Sequence, residues 1–186
     1  MIEIVPALKR VRLKHIGCWH ELCMEFQPTL NIITDESRGS GKSTIFRAIL
    51  QTVHLSSRPR FPLLPTKGFR EGKISVELMS PTITHRVTDS GNTHHERTGN
   101  DRLKSLRSCL EQAPTGTCIL IESDFIEQLD AVAFDNFFDL MSAPPCQVIV
   151  IMGQRLKPER FKQARIYSCF WNPETNRALV RLLQKP

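Results

Sequence analysis

The sequence has 186 residues, of which 40% are hydrophobic and 24% are charged, a composition typical of globular domains. A chain of this length predicts one domain that buries well over half of its unfolded surface. Its longest apolar runs, 118–121 and 148–152, are too short to cross a bilayer, and no basic-then-apolar leader is present. Composition therefore excludes membrane, fibrous, largely disordered and disulfide-framework classes, and we expect an intracellular protein with no membrane partner.

Lysine and arginine total 25 and aspartate and glutamate 19, for a formal net charge of +6. This balance permits contact with a phosphate backbone, and a solvated basic surface explains it equally well. The six cysteines form no Cys-x-x-Cys pair and are interpreted as reduced thiols. Zinc-ligand side chains gather at His15, Cys18, His20 and Cys23, but their spacing does not match the usual zinc patterns. Strand residues that cross a tight turn explain them as well.

Strands are predicted where apolar residues alternate or form short runs, and in chain order these lie at 9–16, 21–26, 30–34, 73–78, 82–87, 117–121, 147–152, 165–170 and 178–183. Helices are predicted where apolar residues recur at helical spacing, at about 42–54, 101–112 and 131–141. The proline-rich segment 55–72 is predicted to be a loop, and the polar segment 88–100 a linker. Short apolar strands that alternate with helices predict an α/β domain with a largely parallel central sheet.

The strongest motif follows the predicted strand 30–34 and leads into a helix; it comprises Gly39, Ser40, Gly41, Lys42, Ser43 and Thr44. A strand, a glycine-bearing loop and a helix in this order are typical of a Walker A phosphate loop. Its backbone N–H groups would wrap the phosphates of ATP, Lys42 would reach the β- and γ-phosphates, and Ser43 would coordinate Mg²⁺. Glu36 occupies the first glycine position of the consensus, and Arg38, also a candidate nucleotide contact, partly offsets its charge. The alternative is a glycine-rich turn that binds nothing.

From residue 9 to residue 45 the chain resembles the N-terminal part of the heads of SMC (structural maintenance of chromosomes) and RecF-type ATPases, which are ABC-class P-loop ATPases. The segments that carry this resemblance are 9–16, 24–26, 30–34 and 39–45. It implies a P-loop NTPase fold, with a mostly parallel central sheet and an N-terminal antiparallel β lobe, in a single head domain that spans 1–186. The lobe would comprise about 1–30 and 73–88, and the P-loop core the remainder. The turn from His15 to His20 would then lie near the base, where Trp19 would either stack on it or pack in the core.

The resemblance continues in two weaker matches. Thr98 and Gly99 precede a predicted helix at the place of the family's signature motif, with Asn100 in place of its second glycine. In ABC-class dimers that motif binds the γ-phosphate of the partner's ATP at a helix N-terminus. After the strand 147–152 the family has a switch histidine, and here Gly153 or Gln154 stands in that place.

The segment after the strand 117–121 resembles a Walker B strand and the D-loop that follows it at 129–130. Two alignments are open for its metal-side and catalytic acids. Aligned on the apolar run, Glu122 is the metal-side acid and Ser123 replaces the catalytic glutamate. Aligned on 129–130, Ser123 replaces the metal-side aspartate and Asp124 stands for the catalytic glutamate. Because a serine cannot accept a proton from water near pH 7, weak or absent hydrolysis is expected in either case.

The resemblance implies an ATP-binding head, with Mg²⁺, that acts in DNA repair, recombination or chromosome maintenance. Nucleotide would join it to itself or to a related head in an ATP sandwich, on chromosomes in the nucleoid or nucleus, with direct DNA contact left open. Only about ten residues lie where SMC proteins insert their long arm, so ring formation is not carried over. A second hypothesis is a degenerate relative that no longer needs ATP and serves as a protein-interaction or DNA-binding subunit. A small P-loop kinase or GTPase is a third, although the sequence has no Asn-Lys-x-Asp guanine motif and no obvious acceptor lid.

Overall fold

The computed structural model describes residues 1–35, 39–53, 63–79, 99–153 and 158–186, with the backbone alone at 99, 100 and 158. The helices and strands within these ranges are, in chain order, β1 Ile2–Pro6, β2 Leu8–Ile16, β3 Trp19–Glu25, β4 Leu30–Asp35, α1 Lys42–Val53, β5 Lys73–Leu78, α2 Gly99–Gln112, β6 Thr117–Ile121, α3 Ser123–Glu127, α4 Ala131–Met141, β7 Gln147–Ile151, a 3₁₀ turn Pro158–Arg160, β8 Arg165–Asn172 and β9 Arg177–Gln184. The predicted strand 82–87 lies outside the described residues. So does the predicted linker up to residue 98, while 99 and 100 already belong to α2.

Six strands form the main sheet in the order β1-β6-β7-β4-β8-β9. The four central strands run parallel, while the edge strands β1 and β9 pair antiparallel with their neighbours. Every residue of β4, β6 and β7 is buried, as expected for parallel strands that are covered on both faces. The predicted α/β domain with a mostly parallel sheet is confirmed.

A separate antiparallel sheet has the order β3-β2-β5. In β2 the buried residues Val11 and Leu13 alternate with exposed Arg12 and Lys14, as in a sheet with one face toward solvent. The antiparallel lobe expected at 1–30 therefore exists, but it does not include the first strand.

The strand β1, which was not predicted, belongs to the main sheet. It pairs antiparallel with β6, from Ile2 opposite Ile121 to Pro6 opposite Thr117. Its apolar side chains divide between the two faces of the sheet: Ile2 packs against one core cluster and Val5 lies in the other. This burial on both faces fixes β1 at the edge of β6, so the N-terminal boundary expected for the lobe is wrong for these residues.

The hydrophobic core lies on both faces of the main sheet. One cluster joins the sheet to α1 and to the inner face of the lobe, with Trp19 and Ile45 fully buried. The other joins the sheet to α2, α3 and α4 through Leu106, Phe125 and Phe137. The sheet is therefore the middle of three layers.

A buried amide links the main sheet to the lobe. Gln147, at the start of β7, is 2% exposed. Its Oε1 accepts from the Leu8 backbone N–H at 2.7 Å, and its Nε2 donates to the backbone carbonyls of Leu8 and Gln27, each at 2.8 Å. The side chain thus satisfies backbone groups where β2 begins and just after β3 ends, so the position of the lobe depends on it.

The substitution Gln147→Leu removes these three hydrogen bonds and leaves buried backbone groups without a partner. We expect the free energy of unfolding to fall by about 2–5 kcal/mol, since each unsatisfied buried group costs about 1–3 kcal/mol. Gln112→Leu, at an exposed position in the last turn of α2, is the control and should change the free energy by less than about 0.5 kcal/mol. Urea denaturation measures both, and equal losses in the two variants would contradict the linking role.

Candidate functional site

The predicted phosphate loop leaves β4 at Asp35 and enters α1 at Lys42. Gly39 and Gly41 have φ of +83° and +89°, the left-handed region that glycine adopts without steric cost. The carbonyl of Gly41 accepts from the N–H groups of Thr44 and Ile45 at 3.1 and 3.3 Å and so opens α1. The substituted position Glu36 and the candidate contact Arg38 lie outside the described residues.

Trp19 packs directly against this loop. It is fully buried, and its Nε1 donates to the carbonyl of Gly41 at 3.1 Å. A Cβ atom on Gly41 would lie 2.5 Å from Cys18 Sγ and 2.7 Å from Trp19 Nε1, closer than atoms can approach. Because Trp19 is buried here, it cannot stack on a base, and of its two predicted roles the packing role is the one observed.

The amine of Lys42 forms an ion pair with the carboxylate of Asp35, the last residue of β4. Ser40 Oγ donates to the same carboxylate oxygen at 3.4 Å. The Asp35 carboxylate is almost fully buried, and the Lys42 side chain is mostly so. Burial lowers the pKa of the Lys42 amine, and the nearby Cys169 and Glu127 side chains raise it by less. Since a carboxylate in contact stabilises an ammonium group, Asp35 keeps this lysine charged and holds it beneath the loop.

Cys169 lies next to this ion pair on β8, in register with Asp35. Burial raises the pKa of the Cys169 thiol to about 12, although the Lys42 charge acts in the opposite direction. The thiol is therefore protonated near neutral pH, so the side chain next to the ion pair is uncharged.

Two of the predicted acids, Glu122 and Asp124, follow β6, whose carboxyl end lies at the same edge of the sheet as the loop but two strands away from it. Glu122 follows β6, and its backbone N–H donates to the carbonyl of Met1 at 3.0 Å. Burial lowers the pKa of the Met1 amine, and Glu122 and Asp124 are the main charges that oppose this. Because β7 separates β6 from β4, the ends of β6 and β4 are roughly 10 Å apart. No contact in the described part of the chain joins either acid to Lys42.

A different acid lies near the loop. The Glu127 Oε1 atom is 3.5 Å from where a Cβ on Gly153 would stand. The carbonyl of Gly153, just past β7, accepts from Thr34 Oγ1 at 3.4 Å, and Thr34 is the residue before Asp35. Our sequence analysis did not single out Glu127. The signal that was available is its spacing of four residues from Ser123, which places both on one helix face.

The other predicted site residues are placed as follows. Ser43 is exposed in the first turn of α1, and Thr44 contacts the lobe turn, since a Cβ on Gly17 would stand 3.2 Å from its methyl group. Gly99 begins α2, two residues before the predicted start, whereas Thr98 and Gln154 lie outside the described residues.

The two histidines among the predicted zinc-ligand types lie close together, with ring centroids 6.0 Å apart, against Phe69. His15 stacks on Phe69 with ring centroids 3.7 Å apart, and His20 meets the same ring edge-on at 5.4 Å. Cys18 packs on the loop, while Cys23 is exposed on the lobe. Within the described ranges, no group of three or more His, Cys, Asp or Glu side chains is placed to hold a metal ion.

Part of the basic N-terminal strand is neutralised by the lobe. Arg10 forms ion pairs with Glu25 and Glu77, and Lys9 also pairs with Glu77.

No helix in the described part of the chain is long and apolar enough to span a membrane.

The chain is similar in structure to the SMC head domain from Thermotoga maritima, with a TM-score of 0.57, 14% sequence identity, and coverage of 96% of this chain and 100% of that chain. It is also similar to a metal-chelate type ABC transporter in an inward-facing conformation, with 15% identity, coverage of 94% of this chain and 83% of that chain, and a TM-score of 0.44, which is too low to carry an argument. No protein-family model matches the sequence, and neither does any curated protein. The first likeness shows that the chain shares the overall fold of that head domain.

The packing of Trp19 on the loop is tested by a matched pair of substitutions. Gly41→Ala and Gly39→Ala both place a Cβ at positive φ, which costs about 1–2 kcal/mol. Only Gly41→Ala also meets Cys18 and Trp19, whereas a Cβ on Gly39 meets nothing within 4 Å. We expect thermal melting to show a clearly larger loss for Gly41→Ala, and equal losses would contradict the close contact.

Proposed function

We propose that this chain is an SMC/RecF-like head protein that binds ATP with Mg²⁺ and acts in DNA repair, recombination or chromosome maintenance. The observation that carries the proposal is the loop between β4 and α1. There, two positive-φ glycines, a lysine at the first position of a helix and a hydroxyl beside it follow a buried strand. Backbone N–H groups at a helix N-terminus, together with a lysine, form an anion site suited to phosphates.

The residues present fit a nucleotide and its metal. A Cβ on Gly39 would stand in open space, so that side of the loop leaves room for a phosphate. Ser43 is exposed at the start of α1, where its hydroxyl would hold Mg²⁺, an ion that prefers oxygen ligands. The metal would neutralise charge on the β- and γ-phosphates.

Binding must exchange one partner of Lys42 for another. The amine that would reach the phosphates now contacts Asp35, and a buried lysine that lost this partner would be destabilised. In the proposed complex the phosphates take over Lys42, and Ser40, which donates to the same carboxylate, still partly satisfies Asp35. This exchange lowers the affinity for ATP compared with a loop whose lysine is free.

The base would meet the lobe at its turn. Gly17 lies against Thr44 of α1, so the turn borders the loop. Because Trp19 is buried, the aromatic side chain available there is Phe69, which is 40% exposed and stacks on His15. We propose that this cluster borders the adenine.

Hydrolysis is expected to be weak or absent. Ser123 occupies an acid position in both alignments, and the place of the switch histidine is taken by Gly153 or Gln154. The nucleotide would then serve chiefly to hold two heads together, with the start of α2 contacting the partner's ATP. The partner is a second copy or a related head.

Direct DNA contact would use exposed basic side chains of the lobe, on a surface that also carries Glu21, the register partner of Lys14 on β3. Arg12 and Lys14 are exposed on β2, and Lys73 is the register partner of Lys14 on β5. Within the described ranges these three side chains form no ion pair. A chromosome-associated location follows from this proposal.

The second candidate is a degenerate subunit that no longer needs ATP and binds protein or DNA instead. The ion pair between Lys42 and Asp35 favours it, because the loop then carries its own counter-ion. Under this alternative the pair has a structural role, and ATP adds nothing to partner binding.

Calorimetric titration of Mg-ATP into the purified chain decides between the two candidates. We expect saturable binding that Lys42→Ala abolishes, because the variant lacks the cation that reaches the phosphates. Thermal melting of the variant checks that it is folded. Absence of heat in both proteins, or equal binding in both, would contradict ATP binding at this loop and favour the degenerate subunit.

The competition at Lys42 gives a second prediction. Asp35→Asn removes the carboxylate that holds the amine, so Mg-ATP should bind about tenfold more tightly, equivalent to about 1.4 kcal/mol. Asp139→Asn, an equal charge change at an exposed position of α4, should leave the affinity unchanged. Weaker binding by the Asp35 variant in the same titration would mean that Asp35 positions the lysine rather than competing for it.

A further inference from the structure

The acids that follow β6 lie near different charged groups. Glu122 and Asp124 act on the amine of Met1, which lies at the β1 edge of β6. Glu127 acts on Lys42 instead, at the opposite side of β6 and across β7. Of the three, Glu127 is therefore the acid directed toward the loop.

The geometry of α3 explains this division. The helix has 3.6 residues per turn, so Ser123 and Glu127 lie on one face and Asp124 lies about 100° around the axis. Phe125 and Ile126 are buried in the core and fix the rotation of the helix. The serine at the acid position and the glutamate one turn later thus share a face.

The Glu127 carboxylate lies beside Gly153, at the end of β7. Its Oε1 is 3.5 Å from the position of a Cβ on Gly153, an ordinary van der Waals distance. The Gly153 carbonyl is in turn held by Thr34 Oγ1 at 3.4 Å. The end of β7 therefore places the carboxylate beside the end of β4, where the loop begins.

We propose that Glu127 is the metal-side acid of the nucleotide site, in place of Glu122 and Asp124; this inference rests on the proposed ATP binding. Its carboxylate would hold Mg²⁺, either directly or through a water ligand, together with the Ser43 hydroxyl. A carboxylate and a hydroxyl are ligands that Mg²⁺ accepts beside phosphate oxygens. The acid lost at Ser123 is thus supplied one helical turn later on the same face.

The sign of the charge effect makes the proposal testable without hydrolysis. In EDTA the Glu127 carboxylate repels the phosphates, whereas with Mg²⁺ it attracts the ion that binds them. Glu127→Gln should therefore strengthen ATP binding in EDTA and weaken it in Mg²⁺. The ratio of the two dissociation constants, EDTA over Mg²⁺, isolates this effect from any general change in affinity.

The experiment is calorimetric titration of ATP into the full chain, in Mg²⁺ and in EDTA, for the wild type and for Glu127→Gln, Glu122→Gln and Asp124→Asn. We expect the ratio to fall about 10- to 100-fold in Glu127→Gln, the range found when a group that supports a metal is lost. It should stay within about twofold of the wild type in the other two variants. Glu127 is exposed, so the substitution leaves the core intact, and thermal melting verifies this.

Three results would overturn the inference: an unchanged ratio in Glu127→Gln, a fall in Glu122→Gln or Asp124→Asn instead, or a wild-type affinity that does not depend on Mg²⁺. A Lys42→Ala arm separates these from failure of the proposed function. If ATP binds and Lys42→Ala abolishes that binding, the function stands and only the role of Glu127 is rejected. If the wild type shows no binding that depends on Lys42, both proposals are rejected.

Discussion

The contact between Trp19 and Gly41 determines how the lobe meets the phosphate loop. The indole N–H reaches the glycine carbonyl at 3.1 Å, and the space for a Cβ on Gly41 is already filled by Cys18 and Trp19. Only glycine allows this approach, because Cys18 and the buried indole of Trp19 occupy the space where a Cβ would stand. The lobe therefore supports the loop from behind and leaves its other side free for a ligand.

Within the described residues, the charge of Lys42 already has a partner. Lys42 is paired with Asp35 in a nearly buried position. The protonated thiol of Cys169 lies beside this pair, and the carboxylate of Glu127 also acts on Lys42. Such an arrangement keeps a buried lysine stable in the absence of phosphate. An anion that binds Lys42 in the loop must therefore replace the ion pair with Asp35. The site combines the backbone of a phosphate loop with a carboxylate that competes for its lysine.

The sequence predicts those elements whose pattern lies within one short continuous segment, and it misses those that depend on contacts with distant segments. The strand-loop-helix around residues 30–53 and the buried strand β6 were predicted closely, because an apolar run or a helical period marks each one. The strand β1 was missed because its five residues carry no turn signal before them and gain their burial from β6. The helix α3 was missed because five residues are too few to show a period.

Only the part of the candidate site that is continuous in sequence was predictable. Glycines, a lysine and a hydroxyl that are consecutive in sequence remain together in space, so the loop is found from its motif. The position of Glu127 near the loop depends on the rotation of α3, which the buried Phe125 and Ile126 fix, and this is a tertiary feature. Sequence order alone therefore favoured Glu122 and Asp124, the acids directly after β6, over Glu127. The burial of Trp19 likewise depends on contacts between segments far apart in the chain.

In the proposed complex the Lys42 amine leaves Asp35 and binds phosphate, while the lobe holds the loop in place. A crystal structure of the chain grown with Mg²⁺ and a non-hydrolysable ATP analogue tests this directly. We expect the Lys42 amine on the phosphates, Asp35 left with Ser40, and the contact between Trp19 and Gly41 unchanged. An analogue bound elsewhere, with Lys42 still on Asp35, would contradict the account.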